Sequence, residues 1–190
     1  MRVAFIIFNG MTALDLIGVY DPITRLKTMG YLPDLEWEIC AYSAEVKDQT
    51  GLSFVPTKVI EPLEGFDAIV VPGGPSARKL LSDKKFLKWL QTAKSCRLKV
   101  SVCTGSLLLG AAGFLTDKKA TTHHSALRIL RKFCSSVEKN QRIVDEGDVI
   151  TAAGVTSSID LGLYLCQKMA GQDARTRICQ QIEYRNSGAP

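Results

Sequence analysis

Cys103 stands in the run SVCTGSLLLG (101–110), where one apolar stretch ends and the next begins. The strand-like KVSVC passes into a helix-like segment through Thr104 and Gly105. A nucleophile is often held on such a sharp strand-to-helix turn. A sulfur there faces unpaired backbone N–H groups and the positive end of the helix dipole, which favour thiolate. Gly105 is expected to give the backbone room to bend. The Thr104 N–H, just after the sulfur, is placed to donate to an anion that forms there. Pro72-Gly73-Gly74 ends another apolar run. Its glycines leave space for the Gly74 N–H to point into the same pocket and complete an oxyanion-type site with Gly73 beside it. A packed core thiol at Cys103 and a plain turn at Gly73-Gly74 remain the bland alternatives.

A proton carrier is needed beside a thiol nucleophile, and MTALDLIGVYDPI places Asp15 among apolar residues. On a helix its neighbours are Met11, Gly18 and Val19. Desolvation there raises a carboxyl pKa and lets it hold or pass a proton near neutral pH. The alternative is structural: Thr12-x-x-Asp15 fits a capping box, and Ser157-x-x-Asp160 has the same spacing. Asp160 is taken as the cap, because Asp15 comes after the strand end at Asn9-Gly10. His123 and His124 open a helical segment in TTHHSALRIL. A Cys–His dyad is one way to activate a thiol, but no histidine follows Cys103 directly, and capping or solvent exposure accounts equally for the pair.

These residues must be positioned by alternating elements. Apolar runs at 2–8, 66–72 and 98–103 read as buried strands, and WEICAYS (37–43) as a strand. Helices are expected at 12–29 with a kink or break at Pro22, at 83–94, 106–115, 124–133 and 157–170, with hairpins near 47–59 and at 142–153. Apolar strands separated by helices imply an α/β fold with a mostly parallel sheet covered on both faces. In such sheets ligands bind outside the carboxyl ends of the strands. Three of those ends carry Asn9-Gly10, Pro72-Gly73-Gly74 and Cys103-Thr104-Gly105.

The chain has 190 residues, 46% of them hydrophobic and 23% charged, which suits a single domain over 1–190 with its own core. A net charge of +5, with basic residues at helical spacing, reads as wet helix faces and gives no reason to expect nucleic acid. No run reaches transmembrane length, and MRVAFIIFNG reads as a first strand and not as a signal peptide, so no membrane association is expected. Six scattered cysteines without C-x-x-C suggest reduced thiols in a cytoplasmic setting and no metal site.

Together VVPGG (70–74), SVCTGSLLLGAAGFL (101–115), KKATTHH (118–124), ITAAGVTSSIDLGLYL (150–165) and the L-D-L of the first helix resemble the DJ-1/PfpI family, and within it the bacterial isonitrile hydratases. The resemblance implies a flavodoxin-like three-layer sandwich of the class I glutamine amidotransferase-like kind, a homodimer, no cofactor and a cysteine nucleophile. It implies that Cys103 attacks a small isonitrile and that Asp15 carries the proton. Thr104 and Gly74 would orient the substrate or stabilise charge. Peptidase-like relatives have His where Thr104 stands. The chain departs from the hydratase pattern at TTHH and at Pro75-Ser76-Ala77-Arg78. The competing expectations are a thiol hydrolase or aldehyde-handling enzyme, a cysteine redox sensor, and a ligand-sensing regulator. For the last, no helix-turn-helix segment follows the domain in this sequence.

Overall fold

The computed structural model describes residues 1–185, so the last five residues of the expected domain lie outside the described residues. In chain order the elements are β1 (Arg2–Ile7), α1 (Ala13–Thr28), β2 (Glu36–Ala41), β3 (Val46–Lys47), β4 (Ser53–Phe54), β5 (Lys58–Val59), β6 (Ala68–Val71), α2 (Ala77–Leu80) and α3 (Lys84–Gln91). They continue with β7 (Leu98–Val102), α4 (Gly105–Ala111), β8 (Lys119–Ala120), α5 (Leu127–Leu130), β9 (Ser136–Val137), β10 (Ile143–Asp145), β11 (Val149–Ala152) and α6 (Ser157–Gln181). Short 3₁₀ turns extend α3 over Thr92–Ser95 and precede α5 over His124–Ala126.

Seven strands form the central sheet in the order β10-β11-β7-β6-β1-β2-β5. Every pairing is parallel except β10 with β11. The chain leaves β1 toward β2 on one side and continues from β6 toward β7 on the other. Right-handed crossovers in opposite directions put their helices on opposite faces of the sheet. This gives three layers, with α1 packed on α6 on one face. Sandwiching explains why Val3 to Ile7 and Ile69 to Val71 are apolar at every position and buried: neither face of these strands meets water. The architecture is the expected flavodoxin-like α/β sandwich.

Several elements differ from the sequence reading. Helix α1 runs through Pro22 without ending. Proline removes one N–H and frees the Gly18 carbonyl. That carbonyl lies where α6 approaches closely: a Cβ on Gly162 would fall 2.7 Å from Gly18 O and 2.9 Å from Pro22 Cγ. The apolar helix expected over 106–115 is only seven residues long and ends before Gly113, whose φ is +88°. The basic helix expected over 124–133 is a 3₁₀ turn followed by a single α-turn. The region 47–59, by contrast, is the small hairpin or edge excursion expected there: β3 and β4 form a two-strand ribbon, and β5 adds to the main sheet edge. Helix α6 bends at Gly171, with φ +87° and ψ 176°, where the expected helix stops. Among the described residues, no helix is long and apolar enough to cross a membrane.

Candidate active site

Strands β1 and β6 are neighbours whose onward connections diverge. A crevice opens outside their carboxyl ends at such a switch point. The turns after β1, β6 and β7 meet there. Thr12 N–H donates to Gly73 O at 2.8 Å, tying the start of α1 to the glycine turn. The packing leaves no room for side chains on the turn. A Cβ on Gly73 would fall 2.5 Å from Thr104 N and 2.9 Å from Cys103 Cβ. One on Gly74, where φ is +139°, would fall 2.6 Å from Met11 Cα. The two glycines are therefore required by close approach of three backbones.

The elbow lies at Cys103 itself, with φ of 55°, a conformation rare outside glycine. The bend does not need Gly105. That residue is small for another reason: its Cβ would fall 2.3 Å from Val71 O. The strained residue is held from both ends. Its N–H is shared between Ala152 O at 3.0 Å and Ala153 O at 2.8 Å. Its carbonyl accepts from Thr122 Oγ1 at 2.9 Å and Ser106 Oγ at 3.1 Å.

Asp15 is fully buried in the first turn of α1. Its Oδ2 accepts from the Gly73 N–H at 2.9 Å. Its Oδ1 has no hydrogen-bond partner, and the Cys103 sulfur is its side-chain neighbour. No capping bond forms: Thr12 is the residue before α1, and its side chain caps nothing. Burial pushes Asp15 up from 3.8 to about 7, while the Gly73 N–H and the Cys103 thiol pull it back. Cys103 is pushed up to about 12 by burial and by the charge of Asp15, while the Thr104 N–H and hydroxyl pull it down. The resting pair therefore holds its proton on sulfur. Burial thus raises the thiol, against the Thr104 N–H at the helix start, which favours thiolate.

The Gly74 N–H also differs from expectation. It does not open into the pocket but donates to Thr104 Oγ1 at 2.9 Å. The same hydroxyl reaches Gly74 O at 3.0 Å. So Gly73 positions Asp15, Gly74 positions Thr104, and the Thr104 N–H is the backbone donor beside the sulfur.

Cys103, Thr104 and Gly74 line a cavity of about 260 Å³ with Thr12, Gln49, Pro75, Arg78, His123, Ser125 and Val155. His123 is part of this wall, but its Nδ1 contacts Ser125 Oγ at 2.9 Å and not the sulfur. His124 is exposed and absent from the lining. Sequence reasoning missed Gln49, Arg78, Ser125 and Thr122 as contributors. The only signal for two of them was that 75–78 and TTHH depart from the hydratase pattern. Among the described residues, no three His, Cys, Asp or Glu side chains gather as a metal site.

The sequence pattern of the DJ-1/PfpI family matches residues 1–168. The chain belongs to this family. Within the DJ-1/PfpI family it is 34% identical to isonitrile hydratase of Pseudomonas putida over 197 aligned positions, covering 100% of this chain and 83% of the relative. The crystal structure of a THiJ/PfpI family protein from Pseudomonas syringae matches with a TM-score of 0.84 at 30% identity, over 99% of this chain and 78% of the other. The HTH-type transcriptional regulator CdhR of Pseudomonas aeruginosa is 24% identical over 181 residues, and this chain spans 53% of its length. The relatives of this chain thus include one named as a hydratase and one named as a transcriptional regulator.

Proposed function

We propose that this protein hydrates an isonitrile to an N-substituted formamide, with Cys103 as nucleophile and Asp15 as proton carrier. The observation that carries the proposal is the Asp15–Cys103 pair. A buried carboxyl, raised by that burial to about 7, has Oδ2 fixed by Gly73, Oδ1 without a partner, and as its side-chain neighbour Cys103, whose sulfur is the only one in the cavity lining. The 34% identity to isonitrile hydratase supplies the substrate class.

The Asp15 carboxylate takes the thiol proton as sulfur attacks the terminal isonitrile carbon, then returns it to the carbon lone pair. An S–C and a C–H bond form. One C–N π pair moves to nitrogen and leaves a thioimidate. Asp15 next takes a proton from water as its oxygen adds to the same carbon, and the nitrogen receives that proton. The C–S bond then breaks with its electron pair on sulfur, and the hydroxyl proton returns to sulfur through Asp15. One isonitrile and one water give one formamide. The Thr104 N–H steadies negative charge on sulfur at both ends of the cycle. No histidine reaches the sulfur to serve a hydrolase dyad, which weighs against the peptidase-like alternative.

The test is to mix the protein with cyclohexyl isocyanide and follow the formamide by NMR, alongside Cys103→Ala and Asp15→Asn. Formamide from the wild type alone is expected. Its absence over a panel of isonitriles would overturn the proposal. The homodimer and the cofactor-free chemistry are carried with this reading from the family, the cytoplasmic setting from the scattered cysteines, and a single unit over 1–190 from length and composition. Sedimentation equilibrium tests the first of them.

A further inference from the structure

The stretch 75–78, which departs from the hydratase pattern, meets the residue that follows the histidine pair. Arg78 Nη2, on α2, donates to Ser125 Oγ at 2.9 Å and reaches Ser125 O at 3.4 Å. Ser125 Oγ in turn contacts His123 Nδ1 at 2.9 Å. All three residues line the cavity that contains Cys103. Arg78 is the one residue of that lining with a fixed charge. Among the described residues, no carboxylate pairs with it. Its charge is felt inside the wall: burial, His124 and then Arg78 hold His123 below its ordinary range.

A guanidinium has five N–H donors in a planar fork that matches a carboxylate. Only Nη2 has a protein partner among the described residues. The Ser125 contact fixes the fork at the cavity wall and leaves Nε and Nη1 to a ligand. From this we propose that Arg78 is a specificity-determining residue that binds a carboxylate on the nitrogen substituent, so that the substrates are isocyano carboxylates. The substrate class rests on the hydration reading, while anion recognition beside Cys103 does not. A cavity of about 260 Å³ has room for a small isocyano carboxylate.

The first test needs no isonitrile. Iodoacetate and iodoacetamide alkylate the same sulfur: an S–C bond forms, the C–I bond breaks, iodide leaves with its electron pair, and the thiol proton passes to Asp15 or solvent. The two reagents differ in charge and little in size, so their rate ratio at Cys103 cancels thiol reactivity. Relative to glutathione, the wild-type ratio is expected to favour iodoacetate. Arg78→Met should lower it about five- to tenfold, as one charge-assisted contact at a half-exposed site gives. Arg78→Lys should restore part of it, and Lys79→Met, with the same charge change on the exposed side of α2, should leave it alone. An Arg78 that merely pins α2 to the 3₁₀ turn would leave the ratio at the glutathione value in every variant, and that result overturns the proposal. If neither reagent reaches Cys103, binding of N-formylglycine against N-methylformamide by ligand-observed NMR reads the same preference. Equal binding, or a preference that survives in Arg78→Met, overturns it.

Turnover of isocyanoacetate against cyclohexyl isocyanide then separates the two claims. Turnover of both without an Arg78-dependent preference keeps hydration and rejects isocyano carboxylates. No turnover with an Arg78-dependent alkylation ratio rejects hydration and keeps the anion site.

Discussion

Asp15 and Asp160 begin as the same local pattern. Each lies three residues after a hydroxyl residue, in the first turn of a helix, and the two helices pack on each other. Neither forms a capping box. Asp160 reaches outward, accepting from Arg142 Nε at 2.7 Å and from the Tyr184 hydroxyl. Asp15 stays fully buried behind the cavity wall, keeps one backbone donor, leaves Oδ1 without a partner and has the Cys103 thiol as its side-chain neighbour. The two helix starts differ in their spatial neighbours and not in their local sequence. Asp160 meets an arginine and a tyrosine, and Asp15 meets the glycine turn and the cysteine elbow. The same holds for the cysteines. Cys103 and Cys166 are both buried thiols pushed up to about 12. Cys166 donates to Pro22 O at 3.2 Å and packs between helices, whereas Cys103 is strained and lines a cavity.

The cysteines give the largest expected contrast. Cys103→Ala should lower formamide production on the order of a thousandfold or more. Cys166→Ala should keep the activity and lose roughly 1 kcal/mol of stability, read by urea denaturation. The acids come next. Asp15→Asn should cost about 10² to 10⁴ in rate. Asp160→Asn should keep the rate and lose about 1 kcal/mol with its Arg142 pair. Equal loss from both acids would break the contrast.

The third contrast is in pH. Folding raises Asp15 from 3.8 to about 7, so the folded chain holds this proton more tightly than the unfolded one. Its contribution to stability is complete below pH 3.8, declines as pH rises and is lost above about 7. Relative to wild type, Asp15→Asn should therefore gain about 2 to 4 kcal/mol between pH 4 and pH 8. Denaturation midpoints across that range check it. Among the site residues, the smallest loss of rate is expected from Thr104→Val. It leaves the Gly74 N–H and carbonyl without their shared hydroxyl partner, which should cost about 1 to 2 kcal/mol of stability and roughly tenfold in rate.

Much of this was legible in the residues. The apolar runs at β1, β6 and β7 marked a covered parallel sheet, and their ends marked the crevice. Cys103 and Asp15 stood out because each broke an apolar pattern at such an end. Three things were hidden. The partner of Asp15 depended on the Gly73 N–H, a backbone group 58 positions away that no spacing rule reaches. Sequence alone leaves the Gly74 N–H free, because the Thr104 hydroxyl that accepts it is 30 residues distant. Arg78 stands in a stretch that departs from the hydratase pattern, but its partner Ser125 lies 47 positions away, beyond the reach of any local spacing. The local helices α4 and α5 were overextended because apolar periodicity continues past their ends, where Gly113 and the turn after Leu130 stop them.

The most direct measurement is the mass of the protein quenched in acid during turnover of cyclohexyl isocyanide, followed by peptide mapping. The account predicts one isonitrile equivalent on the peptide containing Cys103, none on the peptide containing Cys166, and loss of both adduct and formamide in Cys103→Ala. Formamide that still forms in Cys103→Ala would contradict it.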